Sequence, residues 1–356
     1  MNPAAGRLIQ AVILAIAVVA IPWASFAEQG DFEKSIKPTA KLYTGYSVQV
    51  AEKTGGTRNT ANPNGFEVTR FYMGFKAHLS PHVKSSVVLD MGRVGPLVDV
   101  APDGSGGLEL HSDKRFFAYM KKGYFQFVDI PGNLTVTIGQ GGMPWVGFVE
   151  KAWGHRYVEK VATDAHKLQT STGLGVSLSG DPVDGLQFHA SLMNGPGYKK
   201  PEDNESKLLE LRTTAQLQEL LDSSLKKLEF SVLGAMEPSV NGIETWQVGG
   251  LAFIKADAAS AGVEVAHGKQ RTSTGARVTT LSAFSTLTPF DDPYKIVVRA
   301  DAFMPKAGSD VDLEAIAGAG YVFEKVVDTL VNVQFKRDDS SDKNTWVLAW
   351  DWQVKF

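Results

Sequence analysis

The chain has 356 residues, a formal net charge of −3, 35 glycines and no cysteine. The absence of cysteine excludes disulfides, thiolate metal sites and covalently attached haem. The mild acidity argues against a nucleic-acid partner, which requires a basic patch, and a mean hydropathy of −0.10 is ordinary for strands with one face toward water.

Residues 1–27 have the features of a secretory signal peptide. Arg7 is the single charge, an apolar run follows from Leu8 to Ile21, and Ser25 and Ala27 are the small residues of a cleavage site. The run is too short for a confident transmembrane helix. We therefore predict a cleaved signal peptide over 1–27 and a single domain over 28–356. No other stretch approaches 18 consecutive apolar residues, so only strands could cross a membrane.

Apolar and polar residues then alternate with a period of two, which is typical of β-strands. A clear example is the stretch 66–79, where Phe71, Met73 and Phe75 share one face and Arg70 and Lys76 the other. Short turns alternate with longer loops between successive strands. This is the layout of a meandering antiparallel barrel. Strands are predicted over 42–50, 66–79, 83–91, 115–127, 133–139, 170–179, 186–193, 208–217, 226–235, 245–254, 261–268, 277–287, 294–303, 313–323, 329–337 and 344–356.

One stretch, 206–223, is open to two interpretations. Its composition favours an amphipathic helix, but both ends of a bacterial barrel lie in the periplasm, so the strand count must be even. A strand over 208–217 brings the count to sixteen. It would direct Leu209 and Leu211 toward lipid and Glu210 and Arg212 toward the lumen.

In the last stretch, Asn344 to Phe356, every second residue is large and apolar, so one face of a strand would carry Trp346, Leu348, Trp350 and Trp352. From Trp346 to Phe356 a strand spans roughly 33 Å, or about 25 Å when tilted, which matches an outer-membrane apolar band. The stretch resembles the C-terminal signal read by the barrel assembly machinery of bacterial outer membranes, with Trp350, Trp352 and Phe356 as its aromatic residues. The alternative is the last strand of a soluble β-sandwich. Trp350 and Trp352 fit a barrel less well, because they would lie near mid-bilayer instead of in a headgroup girdle.

Three further stretches resemble the phosphate-selective porin O and P family of Gram-negative outer membranes. They are Gly65 to Asp90, Asn133 to Trp145 with its Gly-Gln and nearby proline, and Gly173 to Gly197 ending in Asn-Gly-Pro-Gly. The resemblance covers about half of the mature chain and implies a sixteen-stranded barrel, usually trimeric, whose third extracellular loop folds into the pore. Phosphate-specific members of the family share a dense arginine ladder, and no such ladder can be traced here.

The connection between the fifth and sixth predicted strands, 140–167, is the candidate constriction loop. Its length far exceeds that of an ordinary connection. We predict that Lys151, Arg156 and Lys160 favour anions in the pore and that Glu150 and Glu159 partly cancel them; an external lid is the alternative. The candidate constriction residues are Trp145, Lys151, His155, Arg156, Glu159 and Lys160.

A second set of candidates consists of lysines and arginines on the polar face of their strands. Arginine or lysine facing lipid at mid-membrane costs about 2–4 kcal/mol, so placement in the lumen is favoured. Ion pairs within the wall are the alternative, above all Arg299 with Asp301. The candidate pore-lining residues are Arg70, Lys76, Lys84, Arg115, Lys121, Arg212, Arg299 and Lys336.

These patterns predict an all-β transmembrane antiparallel barrel of sixteen strands with a long third loop folded into the lumen. We expect a bacterial outer-membrane porin, with a lipid bilayer and small solutes or anions as its partners, no cofactor and no metal. The rivals are a barrel that acts as an adhesin or surface scaffold and a soluble sandwich. An enzyme is not expected, since no GxSxG or HExxH motif occurs. His189 near Ser191 is the one suggestive pair, and hydrogen bonding within the wall explains it better.

Overall fold

The structure is a computed structural model that describes residues 33–54, 57–59, 64–93, 97–102, 108–113, 116–202, 204–220, 225–240, 243–271, 275–289, 293–305 and 311–356. The predicted signal peptide and Arg115 lie outside the described residues. Among the described residues no helix is long and apolar enough to cross a membrane.

The strands form a closed antiparallel barrel. Each strand pairs with its neighbours in chain order, and the first strand pairs with the last along thirteen residue pairs, from Lys41 opposite Lys355 to Thr54 opposite Lys343. The sixteen barrel strands are β1 (Ser35–Thr54), β3 (Asn64–Ser80), β4 (Val83–Arg93), β7 (Phe116–Ile130), β8 (Leu134–Gly142), β9 (Thr172–Val183), β10 (Leu186–Met193), β11 (Leu208–Gln216), β12 (Lys227–Val240), β13 (Ile243–Lys255), β14 (Ala259–Lys269), β15 (Arg277–Leu287), β16 (Tyr294–Met304), β17 (Asp312–Phe323), β18 (Val327–Asp338) and β19 (Lys343–Lys355). The sixteen-stranded barrel predicted from the sequence is confirmed.

The long connections at one end of the barrel hold further strands. These are β2 (Thr57–Asn59), which pairs with β1, and a hairpin of β5 (Leu97–Pro102) with β6 (Leu108–Asp113). This end, with the inner connection 143–171 and residues 194–202 and 204–207, is called the loop end. The opposite end, with turns 81–82, 131–133, 184–185 and 256–258, is called the turn end.

Strand β11 settles the ambiguous stretch. Residues 208–216 pair with β10 and β12, and only Leu217–Leu220 form a helical turn, α3. Leu211 is exposed on the outside, whereas Glu210 and Arg212 are buried on the inside. The strand interpretation is therefore confirmed, with the predicted faces.

Apolar side chains face outward and polar side chains inward. In β16, Val298 is 47% exposed and its neighbour Arg299 is 4% exposed. The same alternation leaves Phe230, Val263 and Leu281 exposed on the outer surface of other strands. An apolar exterior around a polar interior is the arrangement of a barrel in lipid, and the reverse of a soluble sandwich.

The last strand closes the barrel as far as its final residue. The backbone N–H of Phe356 donates to the carbonyl oxygen of Ala40 at 3.0 Å. Trp350 and Trp352 lie on the outer surface with ring centroids 4.4 Å apart. The Trp350 indole N–H donates to Thr329 Oγ1 at 2.7 Å. This bond satisfies a polar group that would otherwise be costly inside a bilayer.

The connection from β8 to β9, residues 143–171, is called the inner loop. It contains α1 (Val146–Trp153) and α2 (Ala162–Ala165). In α1, Val146, Val149 and Trp153 recur at helical spacing and are all buried. Gly154, at φ 78°, ends the helix and donates its N–H to the Glu150 carbonyl oxygen.

The inner loop packs against the inward face of β12–β16 and β18, called the backing wall. Its apolar side chains form one buried cluster with wall residues such as Leu251, Phe284 and Leu330. Part of the barrel interior is therefore a packed core. Open space remains between the loop and the inward face of β1, β3, β4, β7–β11 and the turn-end residues of β19, called the open wall.

Candidate functional site

The first contacts that hold the inner loop meet at Glu264 of β14. Trp145 Nε1 donates to Glu264 Oε1 at 2.9 Å, and Thr163 Oγ1 donates to the same oxygen at 2.8 Å. All three residues are buried. One carboxylate thus ties the starts of both loop helices to the backing wall.

The middle of the loop contacts the backing wall through every second residue. His155 Nε2 lies 2.9 Å from Thr286 Oγ1, the Tyr157 hydroxyl donates to Asp328 Oδ1 at 2.8 Å, and Glu159 lies 3.0 Å from Lys336 Nζ. Burial lowers the pKa of His155 to about 3, so the ring is neutral at pH 7. These contacts are those expected of a loop folded into the lumen.

The intervening residue Arg156 faces the open wall. Its Nε donates to Glu150 Oε1 at 2.7 Å, and its terminal nitrogen lies 3.9 Å from Asp164. Lys160 lies 3.5 Å from the same Asp164. The loop therefore presents cations to the open space, partly balanced by its own carboxylates.

Three neighbouring cavities, which share lining residues, lie between the inner loop and the open wall. The cavity nearest the loop end has a volume of about 450 Å³, and two nearer the turn end have about 390 and 600 Å³. Arg156 lines all three. We call the three cavities together the passage and regard them as the candidate functional site.

The walls of the passage are strongly cationic. Three carboxylates line it, Glu150, Asp164 and Glu237. The cations that line it are Lys41, Arg70, Lys76, Lys121, Lys122, Lys151, Arg156, Lys160, Lys167, Lys199, Lys200, Arg212, Arg271 and Lys355.

The two walls differ in how their cations are paired. On the backing wall, Arg299 donates to Asp301 at 2.9 Å, Lys295 contacts Asp328, and Lys336 lies 2.7 Å from Glu314. On the open wall the lysines at the turn end have no described carboxylate within 4.0 Å; they are Lys41, Lys76, Lys122 and Lys355. Unpaired charges in a narrow, low-dielectric cleft produce a field that concentrates ions of the opposite sign.

Most of the predicted cations reach the passage. Arg70, Lys76, Lys121 and Arg212 line it from the open wall, and Lys151, Arg156 and Lys160 from the loop. Arg212 also stacks on Phe148, with its guanidinium carbon 3.9 Å from the ring centroid.

Other predicted site residues serve a different role. Trp145, His155 and Glu159 hold the loop to the backing wall and do not line the passage. Arg299, predicted to line the pore with an ion pair to Asp301 as the alternative, is buried beneath Trp153 and paired with Asp301. Lys336 completes a loop contact with Glu159 and Glu314, and Lys84 lines none of the three cavities.

Sequence reasoning missed Lys122 because a β-bulge reverses the parity of β7. Strict alternation that places Lys121 inside would place Lys122 outside. The register with β4 shifts between Val88, opposite Lys122, and Leu89, opposite Met120, so that Lys121 is the extra residue. Both lysines therefore reach the passage, and Met120 is exposed on the outside. Lys41 was missed because the predicted strand 42–50 starts one residue after it, whereas β1 begins at Ser35. Lys355 was missed because it is the last residue of β19, where alternation is short.

His189 and Ser191, the pair that could suggest an enzyme, are not linked to each other. Ser191 is buried, and no hydrogen bond connects it to His189 in the described part of the chain. Within the same residues no group of three or more potential metal ligands occurs.

No family model matches the chain, and no curated protein matches it. Solved structures do match in fold. The anion-selective porin from Comamonas acidovorans aligns at 10% identity over 91% of this chain and 100% of that one, with a TM-score of 0.60. Salmonella typhi OmpF in complex with daunomycin aligns at 13% identity over 90% and 97%, with a TM-score of 0.61. The trimer form of OmpT, an outer membrane protein of Vibrio cholerae, aligns at 10% identity over 91% and 100%, with a TM-score of 0.56.

At these identities the comparison establishes the fold. The chain adopts the closed sixteen-stranded antiparallel barrel seen in bacterial outer-membrane porins.

Proposed function

We propose that this chain is an outer-membrane porin through which small anionic solutes diffuse passively. The observation that carries the proposal is the contrast between the two walls of the passage. Cations of the backing wall are neutralised by carboxylates, whereas Lys41, Lys76, Lys122 and Lys355 of the open wall are not. Selectivity in such a pore follows from its width and from the charges at its narrowest part.

The position of Arg156 supports a constriction at the inner loop. It lines all three cavities, and its partners Glu150 and Asp164 belong to the same loop. An anion passing the loop would therefore meet Arg156 and the lysines of the open wall in succession. Passive diffusion needs weak, successive attraction of this kind and no catalytic group.

The composition of the passage favours general anion diffusion over specificity for phosphate. Its turn-end cations are lysines, which act as point charges, and arginine is the residue that binds phosphate oxygens in a bidentate manner. Membership of the phosphate-selective family stays a prediction. A homotrimer is part of the proposal; it is supported by the family resemblance and by the trimer form of the OmpT structure.

The test is a reversal-potential measurement on the full-length protein in a planar bilayer with a salt gradient. We expect stepwise conductance with chloride more permeant than potassium, and a shift toward potassium in a Lys122→Gln, Lys355→Gln double variant. Lys325→Gln is the matched control, because Lys325 is an exposed lysine of the turn between β17 and β18. Cation selectivity in the parent would refute the anion proposal. A complete absence of conductance would favour a scaffold or adhesin.

A further inference from the structure

We propose that the passage contains a binding track for aromatic carboxylates, formed by Tyr72 and Tyr198 with Lys121 and Lys199, and continued by Tyr119 beside Lys199. The inference rests on the proposed function and names a solute class for it. It starts from ring–ammonium contacts that neither the fold nor general anion attraction requires.

Rings and ammonium groups alternate from the loop end toward the constriction. Lys199 Nζ lies 5.5 Å from the Tyr119 ring centroid and 5.6 Å from that of Tyr198. Lys121 Nζ lies 5.9 Å from the Tyr198 ring and 4.5 Å from the Tyr72 ring. Two lysines thus join three tyrosines into one continuous row.

The row is anchored at its middle, Tyr198, and at its inner end, Tyr72. The Tyr198 hydroxyl donates to Asp90, and the same carboxylate accepts from Arg70 Nη1 at 3.1 Å. Tyr72 meets Tyr43 edge-on, with centroids 5.5 Å apart, and Tyr43 is buried against the inner loop residue Tyr157. The Tyr198 and Tyr72 rings are therefore positioned before any solute arrives, which lowers the entropy cost of binding.

The row leads into a cavity of suitable size and chemistry. The cavity that contains Tyr43 and Tyr72 has a volume of about 390 Å³, within the usual range for small-molecule sites. Val88 and the two rings give it apolar surface, and Lys41, Lys76 and Lys122 give it charge.

An aromatic carboxylate would use both features of this site. Its carboxylate accepts hydrogen bonds from a lysine ammonium, and its ring packs edge-on or offset against a tyrosine ring. An inorganic anion uses the ammonium groups alone, and an aliphatic carboxylate gains no ring pairing. The row should therefore prefer aromatic carboxylates to aliphatic ones of the same charge and similar size.

Benzoate and cyclohexanecarboxylate form the matched pair of probes. With the full-length protein in a planar bilayer, we expect benzoate to reduce the chloride current at a concentration about twofold to tenfold lower than cyclohexanecarboxylate does. Tyr72→Leu should abolish this difference, and Tyr72→Phe, which keeps the ring, should retain it. Tyr124→Leu is the control, because Tyr124 lines the passage but has no ring–ammonium contact among the described residues.

Equal potency of the two probes in the parent protein would overturn the track, even if the pore is anion-selective. Loss of the preference in Tyr124→Leu as well as in Tyr72→Leu would overturn it too, because the ring contacts would then not be the cause. Calorimetric titration of both probes into the detergent-solubilised protein decides the matter independently of conduction. Failure of the porin proposal, which is absence of conductance, is thus distinct from failure of the track, which is absence of an aromatic preference.

Discussion

Replacing Glu264 by alanine should release the start of the inner loop. The substitution removes the acceptor of Trp145 Nε1 and Thr163 Oγ1, both buried. Each buried donor left without an acceptor costs about 1–3 kcal/mol, so the loop should lose about 2–6 kcal/mol of local stability. Since about 1.4 kcal/mol is a factor of ten in an equilibrium, the population of the released loop should rise at least about thirtyfold. Glu264→Gln keeps one carbonyl acceptor and should cost only about 0.5–1.5 kcal/mol.

Trypsin cleavage of the folded, detergent-solubilised protein measures this population, because Lys151 and Lys160 lie on the loop and cleavage tracks local opening when reclosing is fast. The matched control is Glu67→Ala, since Glu67 is an exposed carboxylate of β3. We expect the cleavage rate at the loop to rise in the order parent, Glu264→Gln, Glu264→Ala. A Glu264→Ala protein cleaved no faster than Glu67→Ala would refute the view that Glu264 holds the loop.

Three further outcomes are expected. Arg156→Gln should shift the reversal potential toward potassium, because it removes the cation common to all three cavities and leaves Glu150 without its ion-pair partner; an unchanged potential would place the constriction elsewhere. Deleting Phe356 should lower the yield of heat-modifiable, folded barrel on gels, because its backbone pairs with Ala40 at the closure; an unchanged yield would contradict a role in closure. Burial holds the pKa of His155 at about 3, below its ordinary value of about 6.5, so protonation should destabilise the loop as pH falls between these values. Loop cleavage by an acid-active protease should therefore increase from pH 6.5 to pH 4, and His155→Gln should remove that dependence; equal increases in both proteins would assign it to another group.

The barrel could be predicted from the sequence because the alternation of apolar and polar residues is visible within each strand by itself. Alternation within each strand is sufficient to find β10 and β15 with their full bounds, and the need for an even strand count places β11 correctly. The hairpin of β5 and β6 was missed, since it lies in a stretch rich in glycine, proline and aspartate that is typical of loops.

The roles of individual charges could not be predicted to the same extent because they depend on distant partners. Trp145 and Glu264 are 119 residues apart in the chain, and Lys336 is 177 residues from Glu159. The alternation of apolar and polar residues along the chain does not indicate which distant residues come into contact. Local rules also failed at the bulge beside Lys121, where one extra residue moves Lys122 to the inner face.

The central claim is that apolar faces meet lipid while the unpaired lysines at the turn end of the open wall meet water. Because the chain has no cysteine, single cysteines can test it directly with an anionic, membrane-impermeant thiol reagent in lipid vesicles. We expect Lys122→Cys and Lys355→Cys to be labelled and Val263→Cys and Val298→Cys to stay unlabelled. Labelling of the valine positions with protection of the lysine positions would contradict it.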